Sequence, residues 1–151
     1  MPTGKYAAQT TVSIEKSRNE IESTLARYGA SKFAYMWDGT RAVIAFSFKN
    51  RNIRFVVDVP NPPDFSRTPA GRTRTKLQAK GAYQQAGKQK WRALALGVKA
   101  KLEMVESGIS TFDVEFLPYM VLPGNRTVAE EVLPVIETMY ETGKSIPLLT
   151  E

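Results

Sequence analysis

The chain opens on a polar stretch and then settles into a helical rhythm. Residues 1–12 show no apolar period and read as a loose arm. Ile14, Ile21, Leu25 and Tyr28 recur at helical spacing, which predicts a first helix from about Ile14 to Tyr28. Ser13 is placed to cap its start, and Gly29 stands where a left-handed C-terminal residue is wanted. The period then falls to two. Phe33 to Trp37 is aromatic-rich, and Asp38-Gly39 is a hairpin signal. Ala42, Ile44, Phe46 and Phe48 share one face of Arg41–Phe48, and Ile53, Phe55, Val57 and Val59 share one face of Ile53–Val59. Residues 49–52 turn the chain between them. The pattern predicts a three-stranded antiparallel meander.

Pro60-Asn61-Pro62-Pro63 ends the third strand, because proline has no N–H for the ladder. Residues 60–76 read as a loop, with Pro69, Gly71 and alternating threonine and arginine. Loops this long inside compact domains are commonly functional or disordered. A second, long helix runs to Ser107, with Gly108 closing it. Its start falls near Leu77, or at Tyr83 on a stricter reading, because Gly81, Gly87 and Gly97 each lower helix preference by about 1 kcal/mol relative to Ala. Its first part is expected to be bent or ordered only on binding. From Lys88 onward Trp91, Leu94, Ala95, Val98, Leu102 and Val105 fall in one arc. Lys88, Arg92 and Lys99 line one flank of that arc, and Lys90 and Lys101 the other. Ala93, Leu96, Ala100 and Met104 on the far side predict burial on two sides. Residues 111–121 read as a short helix or an irregular apolar segment interrupted by Pro118. Thr127-x-x-Glu130 is a capping-box pattern opening a last helix to about Thr142, with a kink at Pro134 and Gly143 beyond.

The fold class expected is α+β: a helix, a three-stranded antiparallel meander, a long helix packed on the sheet and a helical C-terminal region. The 151 residues are enough for one core, and a single domain over 1–151 is expected, with no internal repeat. There is no cysteine and no histidine. That removes disulfides, thiolate metal sites and cysteine nucleophiles, and with them the commonest general base and zinc ligand. Any metal would be a hard ion held by carboxylates, and no cofactor is expected. No apolar run approaches the roughly 18 residues of a membrane span, so no membrane partner is expected. Met1 to Tyr6 has no apolar core behind its charge, unlike a signal peptide, and a cytoplasmic protein is expected.

Charge changes the picture more than composition does. Between Asp64 and Glu103 lie ten basic residues and no acidic one, while the rest of the chain is net acidic. From Glu103 to the end there are nine acids against Arg126 and Lys144. A local field of this kind points to a polyanion, most simply nucleic acid. Arg67, Arg72, Arg74, Lys76 and Lys80 on the loop, continuing into Lys88, Lys90 and Arg92, form the candidate phosphate-tracking surface. Interleaved threonines and glutamines can add hydrogen bonds to phosphate or sugar. The alternatives are a solvated loop, or neutralisation of the acidic C-terminal region within the molecule or between subunits.

Phe65, Tyr83 and Trp91 interleave with the cations as in single-strand binders, and Tyr83 is the candidate stacking residue. Trp91 lies in the apolar arc and reads as core. Tyr35 and Trp37 beside a hairpin suit either packing or a stacking platform. Asp58 with Glu15, Glu103, Asp113 or Glu115 could hold Mg2+ for phosphodiester cleavage, although the spacing is generic. Ala70-Gly71-Arg72 is no phosphate-binding loop, and nothing matches G-x-x-x-x-G-K.

The runs Ser13-Ile14-Glu15-Lys16-Ser17, Tyr28-Gly29-Ala30 and Trp37-Asp38-Gly39-Thr40-Arg41-Ala42-Val43-Ile44-Ala45-Phe46 resemble small proteins encoded by tailed phages and prophages. Trp91-Arg92-Ala93-Leu94-Ala95-Leu96 and Ile109-Ser110-Thr111-Phe112 do as well. The resemblance implies a viral context, hence the host cytoplasm, and no mechanism. In element order the chain also looks like the core of Rad52-type single-strand annealing proteins, and that resemblance implies ring oligomers with a single strand in a basic groove. The expectation is a non-enzymatic nucleic-acid-binding protein of phage replication or recombination, favouring single-stranded DNA and forming a homo-oligomer. The alternatives are an interaction module for an acidic host or phage protein, and a Mg2+-dependent nuclease.

Overall fold

A computed structural model describes residues 10–37, 41–58 and 62–149. Helix α1 (Ile14–Arg27) leads into β1 (Ser31–Trp37), β2 (Arg41–Phe48) and β3 (Arg51–Asp58). A 3-10 turn (Pro62–Phe65) then precedes α2 (Lys76–Glu106). Helix α3 (Phe112–Phe116) continues into a 3-10 turn (Leu117–Tyr119), and α4 (Val128–Thr142) is last. The strands form one antiparallel sheet in the order β1-β2-β3, so the α+β meander is present as expected. The Asp38-Gly39 turn, residues 1–9 of the arm and Pro60-Asn61 lie outside the described residues.

Local chemistry accounts for the element ends. Ser13 Oγ accepts from the Lys16 amide at 3.1 Å, which caps α1. Gly29 at φ +97 reverses the chain in the left-handed region, and the Ala30 amide donates back to the Leu25 carbonyl. The turn between β2 and β3 is tighter than the 49–52 expected. Phe48 pairs with Arg51, so Lys49 and Asn50 alone make it, with φ of 44° and 64°. Two consecutive left-handed residues give the twist that antiparallel neighbours need.

Helix α2 starts at Lys76, within one residue of the Leu77 start and not at Tyr83, and it is helical through Gly81, Gly87 and Gly97. Thr75 Oγ1 accepts from the Gln78 amide at 3.1 Å, and the Gln78 side chain accepts from the Thr75 amide at 2.9 Å. This capping box satisfies amides that would otherwise be orphaned and offsets part of the glycine cost. Trp91, Ala95, Val98 and Leu102 are buried and Leu94 and Val105 half-buried, as the arc requires. The far side is not a second buried face: Ala93, Ala100 and Met104 are exposed.

The core lies between the sheet and the helices. Ala42, Ile44, Phe46 and Phe48 of β2 and Ile53 and Phe55 of β3 meet Ile21 and Leu25 of α1 and the arc of α2. Helix α3 drives Phe112 and Phe116 into this cluster from one helical turn. The Phe116 ring meets Phe46 edge-on at 6.3 Å and Phe55 at 6.1 Å, the offset geometry aromatic rings prefer.

The C-terminal region ties back to β3. The Val121 amide donates to the Asn52 carbonyl at 2.8 Å, and Arg54 donates to the Asn125 carbonyl at 3.0 Å. Thr127 caps α4 through the Glu130 amide, but the Glu130 carboxylate turns to Arg54 and Arg126, so only half of the expected capping box forms. The helix continues through Pro134, which has no N–H for the Glu130 carbonyl four residues back. Arg126 Nη2 donates to that carbonyl instead, at 2.9 Å.

The three helical glycines differ in what an added methyl would meet. At Gly97 nothing lies within 4 Å, whereas at Gly87 a Cβ would sit 3.3 Å from Ile14 Cδ1. Gly97→Ala is expected to raise the unfolding free energy by up to about 1 kcal/mol in urea titrations. Gly87→Ala should give less, because the Ile14 side chain must shift to admit it; equal gains at both positions would contradict this packing.

Candidate nucleic-acid interface

Helix and sheet differ in length, and the site arises from that difference. At 31 residues α2 is about 46 Å long. Strands of eight residues span only about 26 Å. Buried α2 residues begin at Trp91, so the turns from Lys76 to Lys90 project past the end of the sheet and pack on the Pro62–Phe65 turn.

Where helix and sheet part company there is a cleft of about 680 Å³. Its floor is the last cross-strand row, Trp37–Ala42–Val57. One wall is the start of α1, with Ile14, Glu15 and Arg18, and the other is α2 from Tyr83 to Trp91. Residues 66–74 beside it are better ordered than a plain loop. Arg67 and Thr73 pair as an antiparallel bridge, and the Thr68 amide donates to the Arg72 carbonyl at 2.8 Å. Arg74 Nη1 donates to the Phe65 carbonyl at 3.3 Å, and the Phe65 ring meets Tyr83 edge-on at 5.9 Å. The basic miniature hairpin is thereby fastened to the helix that forms the cleft wall.

The residues singled out in the sequence divide into three groups. Tyr83, Lys88 and Lys90 line the cleft. Arg67, Arg72, Lys76 and Lys80 are exposed on the hairpin and the first turns of α2, and Arg74 is half-buried beneath them. Arg92 leaves the row: it donates to Glu20 Oε2 at 2.6 Å, and Lys99 holds the other oxygen of the same carboxylate. Among the described residues no ion pair joins Arg67, Arg72, Arg74, Lys76, Lys80 or Lys88 to a carboxylate. The acidic C-terminal region turns elsewhere, Asp113 to Arg51 and Glu130 to Arg54 and Arg126. Among the described residues the acidic C-terminal region forms no ion pair with Arg67, Arg72, Arg74, Lys76, Lys80 or Lys88.

Arg18 is a site residue that sequence reasoning missed. Its guanidinium lies 5.0 Å from the centroid of the Tyr35 ring. The Tyr35 hydroxyl donates to Glu22 Oε2 at 3.2 Å, and burial together with the Glu22 charge pushes its pKa up to about 12. Tyr35 is thus a neutral, ring-covered fixture of the wall. Asp58 and Glu15, a pair singled out for Mg2+, both border the cleft, and among the described residues no three carboxylates gather around one point.

No protein-family model, curated protein or solved structure matches the chain. Among the described residues no helix is long and apolar enough to cross a membrane.

Glu20 fixes the angle between the two cleft walls, and its titration should show in stability. The Lys99 hydrogen bond holds its pKa below the ordinary 4.5, with Arg92 adding to the effect and partial burial opposing it. A depressed carboxylate contributes stability above its unfolded pKa and loses it as pH falls through the folded value. Unfolding free energy should therefore drop as pH goes below about 4. Glu20→Gln should remove about 1–2 kcal/mol at pH 7 and flatten that acid limb. An unchanged limb in the variant would show that Glu20 does not bear this load.

Proposed function

We propose that this protein binds single-stranded nucleic acid without bond chemistry, along the basic hairpin and the projecting half of α2 and into the cleft. One observation carries the reading: Arg67, Arg72, Lys76, Lys80 and Lys88, none of them in an ion pair among the described residues, stand beside an aromatic-walled recess. Each phosphate neutralised releases counterions, which gives affinity independent of sequence. The recess offers aromatic surface to bases, and a duplex keeps its bases stacked on one another. With the sequence's resemblance to tailed-phage proteins, the reading extends to replication or recombination, where strands are held and paired. Homo-oligomers would lengthen the track without changing its chemistry.

Fluorescence anisotropy with a labelled single strand, duplex competitor and a salt series tests this. Submicromolar binding that weakens steeply with salt and resists duplex is the expected result. Arg72→Gln, Lys76→Gln and Lys80→Gln together should flatten the plot of log affinity against log salt by roughly 2 units, at about 0.7 per phosphate contact on a single strand. These three side chains are exposed, and among the described residues none of them joins an ion pair. Flat titrations at low salt would overturn the reading and turn attention to an acidic protein as partner.

A further inference from the structure

Four aromatic residues border the cleft, and they are not equivalent. Tyr35 carries Arg18 on its ring, Tyr83 is met by Phe65, and Trp91 is 8% exposed within the core. Trp37 differs from all three. Its alternation with Phe33 and Tyr35 puts it on the helix-facing side of the sheet, yet it is 67% exposed. Among the described residues no ring or cation lies against it. Beside it on the floor stands Ala42, where the same face of β2 elsewhere has Ile44, Phe46 and Phe48. The indole borders the cleft of about 680 Å³ together with half-buried Val57, while Ala42 is buried and Ile14 packs against Gly87. The volume falls within the roughly 300–1,000 Å³ of small-molecule sites.

We infer that the cleft is a nucleobase subsite in which one unstacked base of the bound strand lies on the Trp37 indole. The inference rests on the proposed single-strand function and specifies it. Arg18 and Lys88 at the rim meet the phosphates flanking the seated base, and the hairpin holds those farther along. Phosphate contacts set the salt dependence, and the indole sets the preference for a strand with an accessible base.

The test compares a normal single strand with an abasic strand of equal length and phosphate number, against the wild-type protein, Trp37→Ala and Trp37→Leu. Trp37→Leu keeps apolar bulk without a π face, and circular dichroism checks that both variants fold. Wild type should bind the normal strand roughly 5- to 150-fold more tightly than the abasic one. Both variants should lose most of that preference while keeping the wild-type salt slope. Trp37 is the exposed one of two tryptophans, so strand binding should also quench intrinsic fluorescence, and Trp37→Leu should abolish the quench. Binding to both strands with equal affinity, or a base preference that survives in the variants, overturns the inference and leaves the function standing. No binding of either strand overturns both.

Discussion

A helix of 31 residues cannot be covered along its length by strands of eight. Everything distinctive about the site follows from which end is left over. The apolar arc of α2 begins at Trp91, so the C-terminal half of the helix must lie on the sheet and the N-terminal half must leave it. Had the arc begun two turns earlier, Tyr83 and Gly87 would be core positions and the cleft would be closed. The same register decides where the charges go. The cations Arg67, Arg72, Lys76 and Lys80 before Trp91 are exposed, while those after it meet protein: Arg92 and Lys99 take Glu20, and Lys101 donates to the Glu115 carbonyl at 3.1 Å. On the proposed reading one uninterrupted run of basic residues is thereby split into a binding part and a structural part.

An overhanging helix needs support, because isolated helical turns are marginal in water. Support comes from both sides of the cleft. The Pro62–Phe65 turn packs on it through Phe65 and Tyr83, and the capping box at Thr75 ties off its exposed start. On the other side the Thr10 carbonyl accepts from Gln85 at 2.7 Å, and Ile14 touches the position of Gly87. Glycine at that point lets α1 approach α2 closely while Glu20 clamps the pair farther along. Gly81, Gly87 and Gly97 cost intrinsic helix stability, and only Gly87 is repaid by a contact.

The sheet, α1, the arc of α2 and the capped α4 were legible in the sequence because each depends on a local period or a cap. Ser13, Gly29 and Gly143 mark ends through chemistry confined to a few residues. What stayed hidden depends on comparing elements distant in sequence. Continuous apolar residues on the far side of α2 suggested burial, but a residue such as Ala100 is buried only if another layer exists to cover it, and none does among the described residues. The glycines argued for a first part bent or ordered only on binding, and the Thr75–Gln78 capping box acts against them. For the site, the cations were visible as a run without acids. Sequence could not separate Arg92 from its neighbours, since its partner Glu20 lies 72 residues away. Arg18 gave no signal at all, and Trp37 gave one readable either as packing or as platform.

On the proposed reading, affinity and strand selectivity reside in different parts of the molecule. The hairpin and the first turns of α2 are cationic and open, and such a surface attracts any polyanion, duplex or single. Discrimination then has to come from somewhere that a duplex cannot enter. A recess walled by two helices and floored by a sheet end admits a base only if that base has left its stack. Unstacking costs a few kcal/mol in a duplex and far less in a flexible single strand. A contact worth about 1–3 kcal/mol is too weak to extract a paired base and strong enough to retain a free one. A single exposed indole beside a basic track is therefore sufficient for the preference, with no need for hydrogen-bonded readout of sequence.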